Sequence, residues 1–325
     1  MKTLSEALSL IFRQIESDRG TSSLSKYVLE ALISSLNGFE AGSVEDFYKE
    51  LRELIVLLKG TKPRMGVVIA HFCQIWDVLE ERKSKIKSME DLKMVLIKTV
   101  DSLNEEANQD AKQIISNGVD CVEDGDSILI HSHSRTVMNI LAKAFRAKKK
   151  IRVVLAEQEE DKTQDMIHFF QERGIPFVVV PEYMLSHIET EVTKVFLGGI
   201  TFNNQYVFVT DAGTNSVVSE FHHAHIPIFM FMSTKKFSLW DVTSKEMTYK
   251  ITQKQTEKHP EKFVTYERIK FSHDRVPVEL VDFVVTEEGK ATPAQLKKNF
   301  DAKYKSYSEW RERHFSKGQV EDSVD

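Results

Sequence analysis

The chain has 325 residues, 41% of them hydrophobic, and a formal net charge of −5 at pH 7. This length exceeds what one hydrophobic core usually spans, so two domains are expected. The negative charge excludes the global basic field that would hold nucleic acid, and the absence of an apolar run long enough to cross a bilayer excludes a membrane-spanning helix. The two cysteines form neither a metal-binding pattern nor a disulfide framework, so we expect a cytoplasmic protein without a metal or other cofactor.

Residues 1–118 are predicted to form an all-helical domain. Apolar residues recur in this region at the spacing of one helix face, for example at Leu24, Val28 and Leu32. The last apolar stripe, Leu92–Ile115, predicts a long helix. We expect this helix to end at Asn117-Gly118, because Asn and Gly readily adopt the left-handed conformation that ends many helices.

Residues 119–325 are predicted to form a Rossmann-like α/β domain. Short, near-continuous apolar runs alternate here with amphipathic helices, which is typical of a doubly wound, mostly parallel sheet that is buried on both faces. The runs are Ile128–Ile130, Ile151–Leu155, Phe177–Val180, Val195–Leu197, Tyr206–Val209, Ile228–Met232 and Phe283–Val285. The polar segment Ser238–Pro277 interrupts the alternation and is interpreted as an excursion or lid. Thr292-Pro293-Ala294-Gln295 predicts the start of a last helix, with Thr as its cap.

The most informative segment is Ser127–Val137, SILIHSHSRTV, in which a buried strand leads directly into a helix. Hydroxyls, imidazoles and a guanidinium lie between the two elements, close to the free amides and the positive dipole end of the helix. This combination favours the binding of phosphate or another anion. A polar turn with a Ser or Thr cap explains the same residues, and the segment alone does not separate the two interpretations.

Other predicted strand ends add candidate anion ligands and one objection. Asp211–Asn215 places Gly and hydroxyl residues between a strand and a helix, and Lys236 supplies a positive charge. Both segments follow predicted strands, at the edge where doubly wound sheets bind ligands. Glu157–Asp161 is strongly acidic at the same edge, where a phosphate would require cations. A strand–Gly–Thr–helix turn is also more often structural than functional.

Motifs spread along the chain resemble one known family. They are Asp18-Arg19-Gly20, Thr61-Lys62-Pro63-Arg64, ILIHSHSR at 128–135, LGG at 197–199, DAGTN at 211–215, IPIFMFMSTKKF at 226–237 and VTEEGKATP at 285–293. In this order they resemble the family that comprises the α, β and δ regulatory subunits of translation initiation factor 2B, methylthioribose-1-phosphate isomerase and ribose-1,5-bisphosphate isomerase. The resemblance covers about residues 10–312 and does not identify one branch of the family.

Departures from the family pattern bear on catalysis. The resemblance implies, for the isomerases, a Cys where this chain has His133 and an Asp where it has Ile200. Those groups would move protons during aldose–ketose conversion, which Ile200 cannot do. Asp211 stands where the family has a phosphate-pairing Lys, and Glu159 where it has an Arg, and both changes weaken phosphate binding. The known isomerase chemistry is therefore not expected, and no catalytic residue is assigned.

The resemblance implies a non-catalytic protein like the α subunit of initiation factor 2B, which serves a guanine-nucleotide exchange complex in translation initiation. We expect a homodimer through the α/β domain, assembly with related initiation factor 2B subunits, and a remnant pocket for a sugar phosphate or nucleotide. The candidate ligand-binding residues are Arg19, Gly20, Arg64, His133, Ser134, Arg135, Gly213, Thr214, Asn215 and Lys236. Two alternatives stay open: a sugar-phosphate isomerase with an altered active site, and a structural homodimer without a ligand.

Overall fold

The computed structural model describes residues 11–12, 15, 21–36, 43–61, 65–158, 160–240, 250–259 and 262–314. The first part is helical, as predicted, and contains α1 (Thr21–Leu36), α2 (Val44–Lys59), α3 (Gly66–Arg82) and α4 (Met89–Val119). Helices α2 and α4 each begin with a capping box, in which a serine and the aspartate three residues later satisfy each other's backbone amides. No helix in the described ranges is both long and apolar enough to cross a membrane.

The end of α4 differs from the prediction. The helix continues through Gly118 to Val119, and Asp120 follows it in the right-handed conformation. The glycine is required for packing and not for a left-handed cap, because a Cβ at this position would collide with the side chain of Ile140. The close approach of two helices, which local sequence does not reveal, therefore explains Gly118.

The second part alternates strands and helices. Its helices are α5 (Arg135–Arg146), α6 (Glu160–Glu172), α7 (Thr214–His223) and α8 (Pro293–His314). Its strands are β1 (Ser127–His131), β2 (Arg152–Glu157), β3 (Phe177–Pro181), β4 (Lys194–Gly198), β5 (Thr201–Phe202), β6 (Val207–Asp211), β7 (Ile228–Phe231), β8 (Lys250–His259), β9 (Lys262–Phe271), β10 (His273–Pro277), β11 (Phe283–Thr286) and β12 (Gly289–Ala291). Thr292 and Gln295 form the predicted cap of α8, with the Thr292 amide donating to Gln295 Oε1 at 2.8 Å.

Seven strands form the main sheet in the order β12-β11-β7-β4-β1-β2-β3, and all neighbours except β11 and β12 are parallel. The α/β class with a mostly parallel sheet is thus confirmed. Helices cover both faces of the sheet. Side chains of α4, α5 and α6 pack in one core with Ile130 and Phe196, and side chains of α7 and α8 pack in another with Leu129 and Val195.

Two regions depart from the predicted arrangement of strands. The run Tyr206–Val209 does form a strand, β6, but it pairs with β10 and β5 in a separate antiparallel sheet. The polar segment Ser238–Pro277 contains β8 and β9, a hairpin with ten paired positions, and also β10. Polarity marked this segment as an excursion correctly, but it concealed the strands, because both faces of β9 expose side chains to solvent.

Helix α8 connects the α/β part to the core of the helical part. Its inner residues Leu296 and Phe300 pack under the sheet, whereas Tyr307 and Trp310 pack with the buried side chains of α2 and α3. The indole of Trp310 donates a hydrogen bond to the carboxylate of Asp77 on α3. Helix α8 therefore contributes side chains to the cores of both parts of the chain.

Candidate functional site

The strand order of the main sheet reverses between β1 and β4. From this point β1, β2 and β3 extend to one side, and β4, β7 and β11 extend to the other. In doubly wound sheets the crevice beyond the carboxyl ends of the strands at such a reversal is the usual ligand site. The segments that follow β1 and β4 therefore form the candidate site.

The turn from β1 to α5 depends on Ser132 and Ser134. Ser132 has a φ of 75°, in the left-handed region, and this sharp turn ends the strand. Ser134 is the N-cap of α5, and its hydroxyl accepts a hydrogen bond from the Val137 amide at 3.4 Å. Gly198, the last residue of β4, packs directly against Ser134, so that a Cβ on Gly198 would collide with the Ser134 hydroxyl. The Ser134 side chain thus packs against the end of β4.

His133 lies in this turn, half-buried, and Arg135 is exposed at the first position of α5. Burial lowers the pKa of His133 from its ordinary value; the Asp165 and Asp211 carboxylates oppose this effect, and the Arg135 and Lys162 charges add to it. The imidazole is therefore neutral at pH 7 and can exchange a proton, but it offers no fixed positive charge to an anion.

His131, the last residue of β1, is 1% exposed and joins three polar side chains. Its Nδ1 lies 3.1 Å from Thr214 Oγ1, and its Nε2 lies 3.3 Å from Glu182 Oε2 and 2.9 Å from Gln158 Nε2. A hydroxyl, an imidazole and a carboxylate in this order resemble a nucleophile triad. However, the Thr214 hydroxyl donates to the Asp211 carbonyl at 2.7 Å and is buried, so it has no access to a substrate. The cluster holds β1 and α7 together.

The N-terminus of α7, predicted as an anion cradle, binds a carboxylate of the protein itself. Asp274 Oδ2 on β10 accepts hydrogen bonds from the amides of Gly213 and Asn215, each at 3.0 Å. Gly213 has a φ of 94°, and the Glu182 carboxylate lies so close to it that a Cβ at this position would collide with the carboxylate. An external phosphate at these amides would have to displace Asp274 in the presence of Glu182.

Lys236 lies at the other side of the crevice, after β7. Its Nζ donates to the carbonyl of Gly199 at 3.0 Å, and its own carbonyl accepts from Thr201 Oγ1 at 2.6 Å. Ile200 follows Gly199 and is 8% exposed, so the position that carries an Asp in the resembling isomerases holds a buried apolar side chain. No proton donor or acceptor replaces that carboxylate at position 200.

The structure brings most of the described candidates together. Ser134 and Lys236 both contact the glycines that end β4, and Thr214 reaches the end of β1 through His131. Gly213 and Asn215 lie on the same helix terminus as Thr214. Arg19, Gly20 and Arg64 lie outside the described residues, so their contribution to the site stays a prediction.

Sequence reasoning missed Glu182, Asp274 and Lys162, whose Nζ lies 3.4 Å from Asp211 Oδ1. Glu182 directly follows β3 at the ligand-binding edge, so the strand-end rule could have identified it. Asp274 reaches α7 only because β10 pairs with β6, and no local pattern predicts that pairing.

Comparison with known families and proteins identifies a family and several relatives of this chain. Residues 17–293 match the family described as the Initiation factor 2 subunit family. The chain is 25% identical over 224 residues to the translation initiation factor eIF2B subunit delta of Dictyostelium discoideum, a match that covers 64% of the chain but only 36% of that relative. It is 27% identical over 245 residues to a putative translation initiation factor eIF-2B subunit 2-like protein of Pyrococcus horikoshii, covering 72% and 80% of the two chains.

An isomerase is also among the relatives. The chain is 22% identical over 313 residues to the ribose 1,5-bisphosphate isomerase of Pyrococcus furiosus, covering 90% and 94% of the two chains. The fold is similar to that of the Pyrococcus horikoshii eIF-2B crystal structure, with a TM-score of 0.69 at 21% identity over 89% and 98% of the chains. It is equally similar to a chain of the tetrameric eIF2B-beta2-delta2 complex of C. thermophilum, with a TM-score of 0.69 at 17% identity over 92% and 93%.

Proposed function

Because the chain belongs to the Initiation factor 2 subunit family, we propose that it is a non-catalytic member of the α-subunit type, acting in the cytoplasm as a regulatory or assembly subunit in translation initiation. Its relatives include proteins named as eIF2B subunits, and one similar structure is titled as a complex of two kinds of subunit. These names support assembly with related subunits as the role of this chain.

The burial of Ile200 carries the non-catalytic part of the proposal. Aldose–ketose conversion requires one group that removes a proton and another that returns it. Ile200 occupies the site of one of them, and its side chain is buried in the fold and not replaced by a neighbouring carboxylate at that position. His133 alone therefore lacks the partner that the resembling isomerases have.

A phosphorylated small molecule is proposed as a regulatory ligand at the same crevice. The cations Arg135 and Lys236 flank the turn after β1, and the amides of Arg135 and Thr136 at the start of α5 have no acceptor within the described part of the chain. Since Asp274 already holds the amides of α7, the proposed anion position is the N-terminus of α5.

Dimerisation through the α/β part is proposed on the basis of exposed apolar side chains at its edge. Beyond the edge strand β3, Tyr183 is 81% exposed and Met184 43%, and Val179 on the strand itself is 37% exposed. Exposed apolar side chains next to an open sheet edge are typical of a protein interface. Mass measurement by light scattering, with Tyr183→Ser and Met184→Ser as variants, tests this expectation.

The ligand proposal is tested by thermal-shift assays with sugar phosphates and nucleotides. Any ligand that stabilises the protein is then followed by phosphorus and proton NMR to detect conversion. Stabilisation without turnover supports a binding subunit, because a ligand that binds only the folded state raises the melting temperature. Turnover that disappears in His133→Ala would overturn the proposal.

The isomerase alternative keeps one favourable observation. Asp165 and Asp211 act electrostatically on the half-buried His133, and Lys162 lies 3.4 Å from Asp211, so titratable groups surround the imidazole despite Ile200.

A structural homodimer, the remaining alternative, predicts no thermal shift with any anion. Pull-down from native lysate distinguishes related subunits from copies of the same chain.

A further inference from the structure

Strands β8 (Lys250–His259) and β9 (Lys262–Phe271) form a two-stranded ribbon that is a sheet of its own. Their ten positions are paired, and no third strand of the described part of the chain joins either edge. Every side chain of β9 from Phe263 to Phe271 is exposed, so the described residues cover neither face of this strand. A hairpin with both faces in water is at best marginally stable, so a partner that covers a face would stabilise it.

The ribbon is positively charged, although the chain as a whole has a net charge of −5. Its two strands contain five lysines and one arginine but only two glutamates, which are Lys250, Lys254, Lys258, Lys262, Arg268, Lys270, Glu257 and Glu267. This positive field is local, because salt screens it beyond a Debye length of about 8 Å. Charge complementarity therefore favours a polyanionic partner that contacts the ribbon directly.

Exposed aromatic side chains accompany these cations. Phe263 is 72% exposed and Phe271 49%. Lys258 lies opposite Phe263 in the strand register, and Lys250 lies opposite Phe271. Lysine on an edge strand also prevents pairing with other sheets, but that purpose does not require phenylalanine in water. Aromatic rings among cations are typical of single-stranded nucleic acid binding, in which bases stack on the rings and the cations contact the phosphates.

The apolar side chains of β9 do not form the continuous patch of a protein interface. Thr265 and Glu267 separate Phe263 from Ile269 on one face, and Val264 lies on the other face. The core of a protein interface is depleted in charged residues, so the position of Glu267 disfavours a protein partner. Bases can stack singly on separate rings. They do so only when they are unstacked from one another, which favours a single strand over a duplex.

We propose that the ribbon of β8 and β9 binds single-stranded RNA without sequence preference. Phe263 and Phe271 stack on bases, and Arg268 and the lysines contact phosphates. The choice of RNA rests on the proposed role in translation, whereas the stacking and the charge complementarity rest on the ribbon alone. The crevice between β1 and β4 contributes no residue to the ribbon, so RNA binding is independent of the proposed regulatory ligand.

The test measures binding of a fluorescent oligouridylate to the full chain by anisotropy. Its length is about 12 nucleotides, within the roughly 4–16 that a single-strand-binding domain covers. We expect saturable binding that weakens as the salt concentration rises. Duplex RNA and polyglutamate of similar length should bind at least about tenfold more weakly, since neither offers a base for stacking. No binding of the oligouridylate, or equally tight binding of the duplex or of polyglutamate, would overturn the proposal.

Removing one ring separates stacking from charge. Phe263→Ala should weaken binding at least about fivefold and leave its salt dependence unchanged, because the ring carries no charge. The melting temperature should also be unchanged, because the side chain is exposed. Tyr27→Ala removes a 44% exposed ring on α1 and is the matched control, which should bind as the unaltered protein does. Unchanged binding by Phe263→Ala, or the same loss in Tyr27→Ala, would refute stacking on the ribbon.

Removing one cation should have the complementary effect. Arg268→Gln should reduce the slope of log affinity against log salt by about 0.7, the value for one phosphate contact of a single strand. Lys298→Gln, at an exposed position of α8, should leave the slope unchanged, and equal slopes in the two variants would contradict phosphate contact by the ribbon. Failure to bind RNA in a chain that still captures related subunits would overturn this inference alone and leave the proposed function intact.

Discussion

Asp274 Oδ2 accepts a hydrogen bond of 3.0 Å from the amide of Asn215, across 59 residues of sequence. The same oxygen accepts from the Gly213 amide, so a charged side chain of β10 acts as the N-terminal cap of α7. The cap joins β10 to the start of α7, the helix that follows the paired strand β6, and it satisfies donors that would otherwise attract an anion.

Replacing Asp274 should therefore change both stability and anion binding. We expect Asp274→Ala to lower the free energy of unfolding by about 1–2 kcal/mol, because α7 loses a charged cap. Asp274→Asn should cost less, since its amide oxygen can still accept. Urea denaturation measures both effects. If the cap excludes anions, phosphate should stabilise Asp274→Ala more than the unaltered protein. Equal stabilisation would contradict the conclusion that Asp274 blocks anion binding at the Gly213 and Asn215 amides.

The contact between Gly198 and Ser134 predicts a coupled pair of substitutions. Gly198→Ala should destabilise the protein by about 1–3 kcal/mol, because the added Cβ collides with the Ser134 side chain. In a double-mutant cycle, Ser134→Gly should recover part of this loss, with an interaction energy of about 1 kcal/mol. Additive losses of stability in the two single variants would mean that groups other than Ser134 move to relieve the collision.

His71 should make stability depend on pH in the acidic range. Its pKa is about 4 in the folded protein and 6.5 ordinarily, so between these values the unfolded chain binds the additional proton. Stability from this group is complete above pH 6.5 and falls as the pH decreases toward 4, by about 3 kcal/mol in total. Denaturant titrations at several pH values should show a shallower decrease in His71→Gln. The same pH dependence of stability in both proteins would mean that the His71 imidazole is solvated and that its pKa is not lowered.

The pair of Lys194 and Asp126 predicts a large effect of removing one charge. Lys194 Nζ lies 2.8 Å from Asp126 Oδ2, and the two side chains are only 11% and 6% exposed. Lys194→Met leaves the carboxylate buried without its cation, so we expect a loss of about 3–5 kcal/mol in unfolding free energy. Lys303→Met removes the cation of a pair with Glu288 whose side chains are 35% and 45% exposed, and should cost under about 1 kcal/mol. Similar losses in the two variants would contradict the assignment of Lys194 as a buried partner.

The sequence predicted features that depend on local periodicity and capping. The strands of the main sheet have near-continuous apolar runs, and the Thr292 cap uses residues three positions apart, so both were identified correctly. Gly118 was misread because its reason for being glycine is Ile140, which is distant in sequence. Likewise β6 has the composition of a main-sheet strand, and only its pairing with β10 places it in the other sheet.

The candidate site was less predictable than the fold because it brings together residues that are distant in sequence. His133, Ser134 and Arg135 lie in one motif that local reasoning can identify. The carboxylate that occupies the Gly213 and Asn215 amides comes from β10, which is distant in sequence although it pairs with β6. A cavity beside His71 combines residues of four helices with the segment after β7. Such juxtapositions arise from tertiary structure, so residue type alone could not assign them.

Helix α8 has a consequence for the order in which the protein forms during synthesis. Trp240 and Trp310 belong to the same core as α1–α4, although the ribosome makes them long after the helical segment. That segment consequently emerges with part of its apolar surface uncovered and cannot complete its packing until position 310 has left the exit tunnel. The nascent chain should thus expose a binding surface for chaperones during most of its translation, which ribosome-bound fragments ending before and after α8 would reveal by their sensitivity to protease.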